Sequence, residues 1–224
     1  MKDDIKEYEK LLDDNKDLLF SDNEEDVNKA FTKMKELADK GNINASFRLS
    51  VTEMIDIPEE ERNAYRNKVL RQYEEEPEEF DSRLLDRIAE YYFWNLNRRD
   101  DLDLMKERLK WYRRAYALDK LDAASEILYD YRVYKQYSLD DEYCDFCLEI
   151  LRDADYYIRN DTELCSDGSR EQLGTVGDAV NGLIELANRG NSRAEQKLKK
   201  AFESGFFQKD ADVEEGRTEK TIKE

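Results

Sequence analysis

One thirteen-residue pattern occurs twice in this chain and limits what the chain can fold into. The segments LADKGNINASFRL (37–49) and LANRGNSRAEQKL (186–198) align without gaps as L-A-x-x-G-N-x-x-A-x-x-x-L. In each copy the Leu-Ala pair suits the end of one helix, and the glycine allows a left-handed turn. The later Ala and Leu then begin the packed face of the next helix. Because each half alone would leave an apolar stripe exposed, the pattern predicts helix pairs that stack on neighbours.

Composition favours helices throughout the chain. The 224 residues include only 2 Pro and 8 Gly, and 41% are charged, which disfavours a turn-rich β architecture. We expect an all-α fold, a right-handed solenoid of stacked antiparallel helix pairs, with about nine to ten helices in residues 1–207. Residues 1–22 are expected to form an N-terminal capping helix, and 160–177 a loop or domain seam. Residues 208–224 are expected to form a disordered acidic tail.

The apolar spacing also predicts individual helices and further, weaker copies of the pattern. Helices are expected at about 24–40, 81–96 and 101–118, and from residue 139 onward. A third copy carries its marks four residues apart, at Trp111, Ala115, Asp119, Ala123, Ile127 and Tyr131. A degenerate copy carries them at Tyr73, Asp81, Leu85, Ala89 and Phe93. The turns at 41, 119 and 190 are about two repeat lengths of roughly 35 to 40 residues apart.

This pattern resembles the Sel-one-like repeat, a relative of the tetratricopeptide repeat. Family copies read roughly A-x-x-W-Y-x-x-A-A-x-x-G-x-x-x-A-x-x-x-L-G-x-x-Y. The chain departs from them at the second Gly, which is replaced by Ser50, Leu128 and Lys199, and at the turn, where Asp119 replaces Gly. The aromatic residue that ends the family pattern is also missing in the first copy, where Glu53 takes its place. The resemblance implies a scaffold or adaptor with a concave protein-binding surface, and not a catalyst.

The net charge of −18 permits two interpretations. It can be a solvated, self-repelling helical surface, or it can attract a basic partner as a mimic of nucleic acid. Direct binding to nucleic acid or to a membrane surface is disfavoured, because both are anionic. Three cysteines do not make a disulfide framework, and the N-terminal sequence MKDDIKEYEK has no apolar leader, so we expect a cytoplasmic protein.

The sequence contains no arrangement typical of catalysis or metal binding. Histidine is absent, which removes the commonest general base and metal ligand. Cys144 and Cys147 have the spacing of a zinc half-site, but they lie in a predicted helix where core packing is the simpler interpretation. The glycine-spaced segment 168–177 matches neither a Walker loop nor a dinucleotide fingerprint. We therefore predict a protein that is not an enzyme and has no catalytic residue, cofactor or metal.

The remaining signals concern partners. The densest acidic segment, 140–167, is interleaved with tyrosines, which frequently anchor interfaces, although it can equally be a solvated helix face. Arginines and a lysine between 98 and 114 form a basic island, for which internal pairing is the simpler interpretation. The predicted partner-binding residues are Tyr92, Tyr129, Tyr134, Tyr137, Asp141, Glu142 and Asp145.

Two functions follow from these signals. The leading hypothesis is a non-catalytic protein–protein interaction module, an adaptor or scaffold whose partner is another protein, with a basic surface as one option. The alternative is an acidic, nucleic-acid-mimicking inhibitor of a nucleic-acid-binding enzyme, such as a phage or bacterial anti-defence protein. The sequence leaves the partner's identity and the oligomeric state open.

Overall fold

The computed structural model describes residues 2–93, 102–133, 139–160, 162–164, 170–172 and 174–203. Over these residues the chain is helical, as predicted, with one short two-stranded ribbon. The helices are α1 Lys2–Asp14, α2 Lys16–Leu19, α3 Glu24–Asp39, α4 Ile43–Val51, α5 Glu59–Glu75, α6 Ser82–Phe93, α7 Leu102–Leu118, α8 Lys120–Val133, α9 Asp140–Arg152, α10 Ala154–Asn160, α11 Thr175–Asn188 and α12 Ser192–Glu203. A 3-10 helix, Pro77–Glu79, lies between α5 and α6.

The short ribbon lies in the segment predicted to be a loop or seam. Strands β1, Thr162–Leu164, and β2, Arg170–Gln172, pair antiparallel, with Glu163 opposite Glu171. Predicted residues 94–96 of α6 and the predicted tail 208–224 lie outside the described residues. None of the described helices is long and apolar enough to cross a membrane.

The chain divides into two compact units, Met1–Ala123 and Ala124–Glu224. The seam predicted near 160–177 lies inside the second unit. In the first unit α3 packs on α4, α4 on α5 and α6 on α7, so helices mostly contact their neighbours in the chain. In the second unit α11 packs on both α9 and α12.

The chain has more helices than the nine to ten predicted, and two breaks account for part of the difference. The predicted capping helix over 1–22 is divided into α1 and α2 at Asn15, which is buried. The Asn15 amide donates to the Leu11 carbonyl (2.8 Å) and accepts from Lys33 (2.7 Å). A buried side-chain amide that bonds the preceding turn competes with helix continuation. The helix expected from residue 139 is similarly divided at Asp153 into α9 and α10.

The two copies of the sequence pattern form the same turn. Gly41 and Gly190 have positive φ angles of 103° and 89°. In the first copy the Gly41 N–H donates to the Ala38 carbonyl (3.0 Å), and the Asn42 N–H donates to the Leu37 carbonyl (3.2 Å). In the second copy the Gly190 N–H donates to the Ala187 carbonyl and the Asn191 N–H donates to the Leu186 carbonyl, each at 2.9 Å. This is the Schellman arrangement, so the predicted left-handed glycine turn is confirmed.

The asparagine after each glycine also begins the next helix. The Asn42 side-chain oxygen accepts from the Ala45 N–H (3.0 Å), and the Asn191 oxygen accepts from the Ala194 N–H at the same distance. An acceptor at this position satisfies an N–H group that has no partner within the helix. At the weaker copies an aspartate has this role, since Asp81 accepts from Leu84 and Asp119 from Leu121.

One hydrophobic cluster of the first unit is formed mainly by α3 and α4. Leu37 and Ala38 of the first copy lie in it with Ala45 and Leu49, each at most 4% exposed. Other members are contributed by the N-terminal helices, by α3 and by the segment after α4, and include Tyr8, Leu19, Val27, Ala30, Phe31, Met34 and Ile57. The pattern positions are therefore core positions, as predicted.

Helix α5 is attached differently, since Val69 is its only fully buried residue. The Arg62 guanidinium donates to three carbonyls of the preceding segment, those of Thr52, Ile55 (3.4 Å) and Ile57 (3.0 Å). Lys68 donates to the Ala38 carbonyl at the end of α3. A cation at a helix C-terminus also interacts favourably with the helix dipole. Polar contacts of Arg62 and Lys68 thus help to attach α5 to the segment after α4 and to the end of α3.

We expect Gly190→Ala to lower the free energy of unfolding by about 1–2 kcal/mol, because an alanine in the left-handed region is strained. Gly177, in the first turn of α11, has an ordinary φ angle and open space around its Cα. Gly177→Ala is therefore the matched control and should leave stability unchanged or raise it by up to about 1 kcal/mol. Urea denaturation followed by circular dichroism measures both, and equal effects would contradict the assigned turn.

Arg62→Met should destabilise the first unit by about 1–3 kcal/mol, because three carbonyl oxygens lose a charged donor. Arg71 is exposed on the same helix, and Arg71→Met makes the same chemical change without removing such bonds. Thermal denaturation of both variants tests the difference. Equal losses would show that α5 is not held through Arg62.

Candidate functional site

Tyr92, one of the predicted partner-binding residues, lies in the core of the first unit. It is 4% exposed, its ring packs on Phe47 (centroids 5.5 Å apart), and its hydroxyl shares a 2.7 Å hydrogen bond with Ser50. The Arg66 guanidinium also lies over the Tyr92 ring, 4.7 Å from its centroid. Burial raises the pKa of Tyr92 well above its usual value. The structure therefore corrects this assignment, because both the ring and the hydroxyl are used internally.

The other predicted tyrosines belong to the second unit. Tyr134 and Tyr137 lie outside the described residues. Tyr129 is 43% exposed on α8, with the Arg132 guanidinium 5.9 Å from its ring centroid. Arg132 also approaches Asp178 of α11 (3.9 Å). Tyr129 is the one described tyrosine of the predicted set that presents its ring at the surface.

The predicted acidic residues are exposed on α9. We call Asp141, Glu142 and Asp145 the acidic face of α9. Two of them have partners near the start of α12, since Asp145 pairs with Arg193 of α12 (2.5 Å) and Asp141 accepts from Asn191 in the preceding turn (3.4 Å). Next to this face, Asp140 pairs with Arg189 (2.7 Å). The structure thus brings part of the predicted site together and supplies cationic partners for it.

These ion pairs are half-exposed and add little to folding, because solvent screens such charges. Their geometry is nevertheless specific. The hydrogen bond to Asp145, together with its charge, raises the pKa of Arg193 above its usual value. Arg189 and Arg193 were not predicted from the sequence, although both lie in the second copy of the repeated pattern. The acidic face of α9 therefore already binds one guanidinium group, and a second lies beside it.

The buried side of α9 fixes where this face lies. Tyr143, Cys144, Phe146, Cys147 and Ile150 are all at most 3% exposed. Helix α11 approaches this side closely at Gly182, where a Cβ atom would meet the Tyr143 hydroxyl and the Cys147 sulfur (2.8 Å). Tyr143 in turn stacks on Tyr131 of α8, with centroids 5.3 Å apart. Close packing therefore orients α9.

Cys144 and Cys147 lie in this packed layer, as the core interpretation of their spacing predicted. Both are free and buried, and burial raises the pKa of each thiol above its ordinary value of 9.0. Thiols of this kind are poor nucleophiles and poor metal ligands at neutral pH. The third cysteine, Cys165, lies outside the described residues, and no group of potential metal ligands occurs among the residues that are described.

The basic island is partly used within the first unit. Arg108 is 2% exposed and donates to the Tyr112 hydroxyl (3.2 Å). Arg114 lies over the rings of Tyr73 (4.5 Å) and Trp111 (4.3 Å), a cation–π arrangement. Both arginines therefore contact aromatic side chains of the first unit itself. Arg98 and Arg99 lie outside the described residues.

Comparison with known proteins adds no relative. No protein-family model, no curated protein and no solved structure matches the chain.

In a Cys165→Ser variant, the two remaining thiols should react slowly with iodoacetamide at pH 7–9. Because the folded-state pKa values are raised, the rate should keep rising above pH 9, where the urea-unfolded chain levels off. The same shifts imply that stability falls as pH rises above about 9, since the unfolded thiols then lose protons first. A folded-state rate that levels off near pH 9 would contradict the buried setting.

Proposed function

We propose that this chain is a non-catalytic helical-repeat module that binds another protein. The repeated turn carries the proposal, because the same glycine and asparagine make the same hydrogen bonds in two parts of the chain. Repeated helix pairs of this kind stack into arrays with an extended surface, which such proteins use for binding. The resemblance to Sel-one-like repeats, the solenoid arrangement and the cytoplasmic location belong to this proposal.

The acidic face of α9 supports a partner with basic side chains. Two guanidinium groups of the chain itself already lie at or beside this face, within 2.5–2.7 Å of Asp145 and Asp140. Glu142 is exposed on the same helix. Tyr129, also in the second unit, offers an exposed ring of the kind that anchors interfaces. These residues make up the proposed contact set in the second unit.

The alternative function, an acidic inhibitor that occupies a nucleic-acid-binding site, is favoured by one observation, the net charge of −18. Binding through long-range charge weakens steeply with salt, whereas a packed contact with an aromatic anchor weakens less. The two functions therefore differ in the salt dependence of partner retention.

Affinity capture from a lysate of the native host, at low and at high salt, tests the proposal. The wild-type chain should retain a partner in high salt, and a Tyr129→Ala/Glu142→Lys variant should retain several-fold less, because an aromatic contact and a charge are lost. Glu36 is exposed on α3, and Glu36→Lys provides the control for charge.

Equal loss with the Glu36→Lys control would contradict the assigned contact set. A basic nucleic-acid-binding enzyme recovered only at low salt, and released by added DNA or RNA, would establish the inhibitor instead. Turnover of a substrate by the purified chain would contradict both functions.

A further inference from the structure

Among the arginines of the first unit that form no ion pair with any described residue, three lie on the contacting helices α4 and α6. They are Arg48 on α4 and Arg83 and Arg87 on α6. The chain has 55 acidic and 37 basic residues, so carboxylates for pairing are plentiful. Arg189 and Arg193 of the second unit do find such partners. Arginines without carboxylate partners in so acidic a chain keep their donors available for a ligand.

The arginines on α6 share a face with an exposed aromatic ring. Arg83, Arg87 and Tyr91 are four residues apart, which places them on one side of the helix, and all three are exposed. Tyr91 is 50% exposed, and its ring meets Phe47 of α4 edge-on, with centroids 6.0 Å apart. Arg48 follows Phe47 in the chain, so the third arginine lies on the neighbouring helix.

Two further observations relate Arg48 to its surroundings and to Arg87. Arg48 lies 3.6 Å from the sulfur of Met54, which is 41% exposed. Tyr8 of α1 lies in the field of both guanidinium groups. Burial raises the pKa of Tyr8, and the charges of Arg48 and Arg87 oppose that rise. Two guanidinium groups therefore act on one point of the first unit, although the whole chain is strongly negative.

We propose that these residues, Arg48, Arg83, Arg87 and Tyr91, form an arginine surface that binds an acidic segment of a partner protein. Guanidinium groups bind carboxylates through two parallel hydrogen bonds, which gives both strength and orientation. The Tyr91 ring and the Met54 side chain offer apolar contact between the charges. The inference rests on the proposed function, because it names the chemistry of one partner segment, at a surface separate from the acidic face of α9.

An acidic peptide fits this surface better than nucleic acid does. Nucleic acid carries a dense row of phosphates and needs a long cationic track, whereas the arginine surface offers three guanidinium groups. The remainder of a chain with net charge −18 repels such a polyanion. A short segment with a few carboxylates can meet the arginines without extending over the rest of the chain.

Fluorescence anisotropy with the full chain tests the inference at roughly 0.15 M salt, where screening over about 8 Å limits repulsion by distant carboxylates. The probe is a short labelled peptide of alternating glutamate and leucine. The variant Arg83→Glu/Arg87→Glu should weaken binding about tenfold or more, because charged hydrogen bonds are replaced by repulsion. Tyr91→Ala should weaken it less, since it removes apolar contact only.

The charge-matched control is Lys199→Glu/Lys200→Glu, which reverses two exposed cations of α12 in the second unit. It should bind the peptide as the wild-type chain does. Equal loss in the two double variants would overturn the inference, because binding would then follow total charge. Tighter binding of a single-stranded DNA oligonucleotide, lost in the α6 variant, would overturn it in favour of nucleic acid.

Failure of the inference and failure of the proposed function are distinguishable. If the wild-type chain does not bind the peptide but still retains a partner in affinity capture, the inference alone is wrong. If it neither binds the peptide nor retains a partner, the proposed function is wrong as well. Circular dichroism of each variant confirms that the compared proteins are equally folded.

Discussion

The turn between paired helices is the constraint on which the two units depend. A left-handed residue at the helix end lets two N–H groups bond back to the last carbonyls, and glycine adopts that conformation without strain. The following asparagine closes one helix with its N–H and opens the next with its side chain. Because one residue serves both ends, the second helix begins only a few residues after the first one ends. Leu37 and Ala38 of one helix therefore share a core with Ala45 and Leu49 of the next.

These turns could be predicted from sequence because their chemistry is local. Glycine, asparagine and the flanking Leu-Ala pair lie within six residues, so the pattern and its hydrogen bonds coincide. The helix break at Asn15 was not predicted, since the apolar stripe continues through it. Asn15 interrupts the helix by donating to the Leu11 carbonyl while its side-chain oxygen accepts from Lys33, eighteen residues away. Periodicity reports which residues face inward, but it does not report a polar contact between two elements.

The candidate site was harder to predict for the same reason. Tyr91 and Tyr92 are adjacent and chemically identical, yet one is 50% exposed and the other 4%. Which of them faces outward depends on where α4 packs. Phe47 of that helix contacts both rings, and Ser50 shares a hydrogen bond with the Tyr92 hydroxyl. The acidic face of α9 was predicted as a charged run, but its partners lie about fifty residues later. The pattern of charges in the sequence identifies the acidic residues, but it does not show which side chains they form ion pairs or hydrogen bonds with.

Net charge and local charge are therefore separate properties of this chain. The value of −18 sets the field at long distance, which salt screens over about 8 Å at physiological strength. Close contacts follow individual side chains instead. On α9 carboxylates meet arginines of the same unit, whereas Arg48, Arg83 and Arg87 meet no carboxylate within the described part of the chain. A partner at close range consequently meets surfaces of either sign, and its preference depends on which helix face it reaches.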